Sequence, residues 1–336
     1  MQRRSYLLFL VPVSLAGCGG GGGGSTAGGT PQYQATITAS NAELKGSATG
    51  EIVGYGTVGG QNHAMFWADA LGSGASDLNP AGHTFSFANK TDGSIIAGES
   101  DNLAFVWTGT SSATAVNIHP TGHTTSYANW SNNGIIVGDS DDKACYWSSA
   151  AASSFVNIHP AGFTASYANS IFGNLIVGCG NQTSSGNQHA LIWTNKSSAT
   201  AVDINPTTCI SSCCNATNNG LTVGLGVTQS GKAQHAFAWT GKTAASAIDI
   251  HPAGYDTSSA WSTRGGLIVG YGIVGGQPHA LVWTKPAPTA FIDLQTVLPS
   301  NYTQSSALDI DSSGRIVGQG IIGATNESDG IVWTVK

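Results

Sequence analysis

The sequence predicts an all-β chain closed into a seven-bladed β-propeller, and three observations predict it. A motif of an apolar residue (Glu51 and Arg315 in the first and last copies), any residue, Val or Ala, then Gly recurs seven times, ending at Gly54, Gly98, Gly138, Gly178, Gly224, Gly270 and Gly318. Each copy leads into an apolar segment ending in Trp, at Trp67, Trp107, Trp147, Trp193, Trp239, Trp283 and Trp333. Ten residues after each of the first six Trp stands Asp or Asn (Asp77, Asn117, Asn157, Asp203, Asp249, Asp293), and the first five of these precede the next motif Gly by a constant 21 residues. Only the Gly-to-Trp interval changes, running 13, 9, 9, 15, 15, 13 and 15 along the chain. A period of 40 to 48 residues suits a four-stranded blade. Composition agrees. Of 336 residues, 46 are Gly and only 30 are charged, 12 basic and 18 acidic, while 40% are hydrophobic and nine are Trp. Such a chain has too much apolar content for charged disorder. Its Gly lacks the collagen period, and a net charge of −6 speaks against nucleic acid as a partner.

Taken in chain order, the start reads as an export signal. Met1-Gln2-Arg3-Arg4-Ser5 is basic, and the apolar run from Tyr6 to Ala16 is too short to span a bilayer. The run closes as Leu15-Ala16-Gly17-Cys18, which resembles the lipobox of bacterial lipoproteins at every position. The resemblance implies a signal peptide over 1–17, cleavage before Cys18 and fatty acylation of Cys18. With Gly rather than Asp at position 19, it also implies sorting to the outer membrane, facing periplasm or cell surface. Several acyl chains hold a protein stably to a bilayer. Residues 18–31, with an unbroken Gly run from Gly19 to Gly24, form a flexible tether. Residues 32–336 form a single domain.

Within a repeat the first strand carries Ser-x-Ala-Asn, as in Ser126 to Asn129, and ends in a hairpin such as Asn133-Gly134. The second (Ile135 to Gly138) and third (Ala104 to Trp107 in the preceding copy) are apolar at successive positions, so both faces are buried. The fourth (Val116 to His119) alternates and ends before Pro120, so one face is wet. The small residue at Ala88, Ala128, Ala168 and Ala260 suits the crowded strand at the axis. The chain stops after a third strand at Lys336, and Gln32 to Thr38 precedes the first repeat's first strand. That segment is therefore expected to complete the last blade and close the ring. An open β-solenoid is the alternative, and it would need no such permuted end.

The repeats resemble the extracellular HAF-repeat proteins, named for a His-Ala-Phe tripeptide. The likeness rests on His63-Ala64-Met65-Phe66-Trp67, His189-Ala190-Leu191, His235-Ala236-Phe237 and His279-Ala280-Leu281. Leu103-Ala104-Phe105, Lys143-Ala144-Cys145 and Asp329-Gly330-Ile331 depart from it. The resemblance implies an exported β-repeat protein and brings no catalytic residues with it.

Chemistry is sparse. Gly54-Tyr-Gly56-Thr-Val-Gly59 and two later copies match a dinucleotide fingerprint but lead into strands, not helices, so they read as structural loops. His63, His189, His235 and His279 begin third strands only where the Gly-to-Trp interval is long, and are expected to fix the longer loop. His119, His159 and His251 precede Pro after fourth strands on separate blades, too far apart to share a metal. Together these seven are the candidate binding face. No cofactor, metal site or catalytic residue is expected. Asp309-Ile-Asp311 and Asp139-Ser-Asp141-Asp142 read as solvated turns. Five Cys follow Cys18, an odd number, and a local disulfide through Cys209, with Cys213, is expected. The expected function is that of a membrane-anchored, non-catalytic binding or scaffold module for an envelope or extracellular glycan or protein. A propeller enzyme of glycosidase or lyase type and a structural part of envelope assembly are the alternatives.

Overall fold

The computed structural model describes residues 31–69, 74–231 and 233–336. The expected signal peptide, Cys18 and tether lie outside them. Residues Gln32 to Lys336 form one compact unit. It is a ring of seven four-stranded antiparallel sheets, and within each the strands follow one another in sequence from the axis outward. Blade 3 is typical: Ser126–Asn132, Ile135–Ser140, Lys143–Trp147 and Phe155–Asn157. The exception is the expected one. In blade 7, Tyr302–Ile310, Ile316–Ile322 and Ser328–Val335 are completed by Tyr33–Ser40, which pairs with the C-terminal strand from Tyr33↔Val335 to Ser40↔Asp329.

The repeat motifs now have physical causes. Each first strand bulges opposite the motif Gly, as between Ala128 and Trp130. A side chain on Gly138 would collide with the Tyr127 carbonyl oxygen, and the other six motif glycines face the equivalent carbonyl. Close approach, not a left-handed backbone, therefore fixes this Gly. The constant ten residues from Trp to Asp or Asn hold a short 3₁₀ turn in blades 2 to 5, for instance Ser112–Thr114. The Trp side chains lie between blades, and Trp107, Trp193, Trp239 and Trp283 each donate their indole N–H to a carbonyl of the preceding blade's exit loop, at 2.8–3.1 Å. The fourth strands stop earlier than expected, at Asn117 and Asn157. The next Ile (Ile118, Ile158) turns fully into the core instead of continuing the alternation.

Successive blades share a clasp. The first-strand Ser of one blade (Ser86, Ser126, Ser166, Ser212, Ser258, Ser305) accepts from the third-strand backbone N–H of the blade before it (Ala64, Ala104, Ala144, Ala190, Ala236, Ala280), at 2.8–3.0 Å. The closing seam, from blade 7 to blade 1, has Ala42 in the Ser position and is held differently. There Asp309 accepts from the Ser47 N–H at 2.9 Å and the Ser262 hydroxyl at 2.6 Å, and pairs with Lys90 at 2.9 Å. Asp311 accepts from the Ser47 hydroxyl at 3.0 Å and pairs with Arg315 at 2.9 Å, while Arg315 reaches the Gly50 and Glu51 carbonyls. Both Asp are buried. The Asp309-Ile-Asp311 stretch is thus a ring fastener and not a solvated turn.

Candidate functional site

The second-to-third-strand loops and the connections from each fourth strand to the next first strand share one end of the ring, joined by backbone bonds such as Asp141 N–H to the Thr125 carbonyl. The seven sequence-selected His all sit at this loop end, but they do not converge. His63, His189, His235 and His279 each donate from Nδ1 to the fourth-strand Asp of the same blade, Asp77, Asp203, Asp249 and Asp293, at 2.7–2.8 Å. In blades 2 and 3, where the loop is short, Leu103 and Lys143 replace His while Asn117 and Asn157 replace Asp. There the loop's own Asp101 and Asp141 pair instead with His83 and His123 of the connection, each at 3.0 Å. The two schemes exclude each other along the ring.

His119, His159 and His251 do a second, uniform job. In each, Nε2–H donates to a carbonyl four residues on (His123, Phe163, Tyr255) at 3.0 Å, and Nδ1 accepts from the clasp Ser at 2.7–2.8 Å. Asn79 and Asn205 make the same pair of bonds with amide N–H and carbonyl oxygen. A neutral imidazole with hydrogen on Nε2 is interchangeable with a carboxamide here. Burial, assisted by the charge of Lys143 beside His159 and of His235 beside His251, keeps both imidazoles below their ordinary pKa. The structure brings together only His235 and His251, stacked with centroids 4.0 Å apart.

The axis at this end gathers side chains that the repeat pattern hides. Ser126 and Ala128 face neighbouring blades, so Tyr127 between them faces the axis. The same register position holds Glu43, Phe87, Tyr127, Tyr167, Cys213, Ser259 and Ser306. Their second-strand partners are Tyr55, Glu99, Asp139, Cys179, Leu225, Tyr271 and Gln319. Tyr55 donates its hydroxyl to Glu43 at 3.0 Å and meets Phe87 edge-on at 5.0 Å. Glu99 is pushed up to about 7, by burial first; Lys45's charge pulls it back and Asp139's pushes it further up. The short loops of blades 2 and 3 stand over Phe87, Glu99, Tyr127 and Asp139, whereas the other five rims are taller. Sequence reasoning expected an axis of Ser, Ala and Asn and missed these carboxylates. The residue immediately after each motif Gly shares this axial register, and it varies from blade to blade in an otherwise regular repeat.

Cysteine pairing differs from expectation. Cys213 is joined to Cys179, not to Cys209, with Cα atoms 4.9 Å apart, and the bond ties blade 4 to blade 5 beside the axis. Cys209 and Cys213 lie four residues apart on one extended strand, beyond the reach of a disulfide. Cys145, Cys209 and Cys214 are buried thiols.

No protein-family model matches the chain, and no curated protein matches it. Among solved structures, the N-terminal domain of Nup159 is similar over 92% of this chain and 97% of that one, at 8% identity and a TM-score of 0.48. A sialidase of Trypanosoma rangeli, in complex with the inhibitor DANA, is similar over 88% of this chain and 55% of that one, at 8% identity and a TM-score of 0.39. Similarity at this level says nothing of what this chain binds.

Proposed function

We propose that the chain is an exported, lipid-anchored HAF-repeat propeller whose loop end serves as a non-catalytic binding or scaffold face for an envelope or extracellular glycan or protein. One observation carries the reading. At the loop end of the axis, part-exposed Tyr55, Phe87, Tyr127 and Tyr167 are interleaved with Glu43 and Glu99, beneath a rim lowered only at blades 2 and 3. Aromatic rings offer large contact area at small entropic cost, and carboxylates accept from hydroxyls or backbone N–H groups. The His of this face are occupied in holding loops, so the contact is assigned to the axial residues and not to them. Export is supported by the Cys179–Cys213 disulfide, a bond that persists outside the reducing cytoplasm. Anchoring rests on the Leu15-to-Cys18 sequence, and labelled fatty acid incorporated by the chain but not by Cys18→Ser tests it.

Capture of polysaccharides and envelope proteins on residues 32–336 tests the binding face. Retention should fall about tenfold or more in Phe87→Ala/Tyr127→Ala, in line with loss of aromatic anchors. Retention unchanged in that variant sinks the reading. The pair of Glu99 and Asp139, one carboxyl held near neutral pKa beside a second acid, favours the enzymatic reading as the alternative. Turnover of a captured glycan that vanishes in Glu99→Gln while capture persists would replace binding by catalysis.

A further inference from the structure

Three residues before each clasp Ser, the incoming connection carries a side chain larger than Ala: His83, His123, Phe163, Cys209, Tyr255 and Tyr302. In blades 4 to 7 it lies over the second strand, where a Cβ on Gly180, Gly226, Gly272 or Gly320 would meet it at 2.6–2.8 Å. In blades 2 and 3 the imidazole packs on Phe105 or Phe155, ring centroids 5.0 Å apart. Blade 1 (Ala42–Ala48, Glu51–Val58, Gln61–Trp67, Ser76–Asp77) breaks the rule. Its incoming chain is the strand that closes the ring, and the residue three before Ala42 is Ala39. Over Gly56 the nearest atom is Met65 Cγ at 3.4 Å. A cavity of about 230 Å³, open on one side, lies there, with Ala39, Ala42, Gly56, Met65, Trp67 and Ala75 in its walls.

Blade 6 shows what such a slot is shaped for. From Gly270 to Trp283 it repeats blade 1 from Gly54 to Trp67, except that Ile273, Pro278, Leu281 and Val282 stand for Thr57, Asn62, Met65 and Phe66. There Tyr255 meets Phe291 edge-on at 5.7 Å, and its hydroxyl donates to Asp293 Oδ2 at 3.0 Å beside the bond from His279. In blade 1 the positions of Tyr255 and Phe291 hold Ala39 and Ala75, so the slot has neither ring. Asp77 keeps the matching bond from His63 at 2.7 Å, yet its side chain is 42% exposed against 21% for Asp293, because no phenol covers it. A cavity of about 150 Å³ holds benzene, so one of about 230 Å³ has room for a substituted ring.

We propose that this slot binds a small phenol, its ring over Gly56 between Ala39 and Met65 and its hydroxyl donating to Asp77. Ala42 pairs with Gly56 as Ser258 pairs with Gly272, so the backbone of Ala39 already runs where that of Tyr255 does, and the ring comes as a free molecule. The site lies under the outermost strand of blade 7, away from the axis, and is independent of the loop-end reading. The probe is p-cresol, titrated into the full chain and followed by NMR of methyl-labelled Met65, one of two Met with Met1, and of the Trp67 indole. Toluene, which lacks the hydroxyl, and N-acetyltyrosinamide run in parallel. Saturable p-cresol binding that moves both signals, weakens about tenfold or more in Asp77→Ala and is lost in Ala39→Tyr, which copies blade 6, supports the proposal. Toluene binding should be unchanged in Asp77→Ala. If Ala39→Tyr melts early, Ala75→Phe, which copies the second ring of blade 6, is the plug to read. No saturation by about 10 mM p-cresol, tenfold above a millimolar site, overturns the proposal, as does undiminished affinity in a plugged chain whose melting is unchanged. Toluene binding as tightly as p-cresol overturns the phenol assignment, and N-acetyltyrosinamide binding more tightly overturns the free molecule in favour of a partner's Tyr side chain.

Discussion

Two seams of the ring are fastened by different chemistry. The seam between blades 7 and 1, beside the strand that completes blade 7, lacks the Ser clasp and is closed at the hairpin end by Asp309, Asp311, Arg315 and Ser47. The seam between blades 4 and 5 keeps its clasp and adds a disulfide at the loop end. A seam made from distant ends of the chain can form only after the other blades exist, and buried charge gives it one register by leaving misaligned closures with unpaired ions. A seam between consecutive blades needs no such selection. The covalent bond there instead stiffens the wall beside the low rim of blades 2 and 3.

The sharpest way to break this contrast is Asp309→Ala. It strands the Lys90 ammonium and leaves the Ser47 N–H without its acceptor, so a loss of about 3–5 kcal/mol in denaturant unfolding is expected. Lys90→Met/Asp309→Leu should recover part of it, because the stranded charge is gone while Ser47 and Ser262 remain unpaired. Equal loss in single and double variants would mean that the ion pair is not what holds the seam. Next in size is Cys213→Ser. Opening a loop of 34 residues should cost about 3–4 kcal/mol by the chain-entropy relation. The two losses should add, since the seams share no partners.

Glu99 sharpens the contrast from the loop end. Its carboxyl titrates near 7 when folded, against about 4.5 free. Between those values the folded chain holds a proton that the unfolded chain has lost, so stability falls as pH rises from 4.5 to 7 and levels off above. The total is at most about 3 kcal/mol. Urea midpoints at pH 5 and pH 8 should differ less in Glu99→Gln than in the parent chain. A profile identical in both would place Glu99 in water. At the hairpin end, by contrast, Asp311 is held below its ordinary range by the Ser313 and Ser47 hydroxyls and by Arg315, despite burial. It therefore stabilises above its unfolded pKa and loses that contribution in acid.

The blades were legible in the sequence because each recurring residue answers one packing demand: motif Gly to the bulge carbonyl, Trp to the interblade space, Ser to the clasp. Ring closure by Tyr33–Ser40 was legible for the same reason, since a third strand with no fourth must find one. The axial residues were not. Glu43, Glu99 and Asp139 occupy positions where the repeat tolerates anything, and their meeting is set by ring geometry, not by spacing along the chain. The disulfide was misread because pairing was sought along one strand, whereas neighbouring blades bring residues 34 apart to 4.9 Å.

The Asp-or-Asn position ten residues after Trp held a finer rule. In all six blades its Oδ1 accepts from the backbone N–H two residues on, at 2.7–2.9 Å, a bond that Asp and Asn make equally well. Only where the third strand begins with His does Oδ2 also accept from Nδ1, and only there is the residue Asp. An Asn would present N–H to Nδ1, which must then change tautomer to accept it, and the carboxylate's charge is lost. Asp203→Asn should therefore cost about 1 kcal/mol through His189 and the Gln182 carboxamide, which also donates to Oδ2 at 3.0 Å, both contacts being part-exposed. Asn157→Asp, in a blade with no such His, should change stability by less than about 0.5 kcal/mol. His189→Leu/Asp203→Asn, which copies blade 2, should be milder than Asp203→Asn, because no imidazole is left without its carboxylate acceptor. Thermal midpoints of the three variants decide it, and a double variant worse than the single would show that the His serves the loop by packing and not through its Asp.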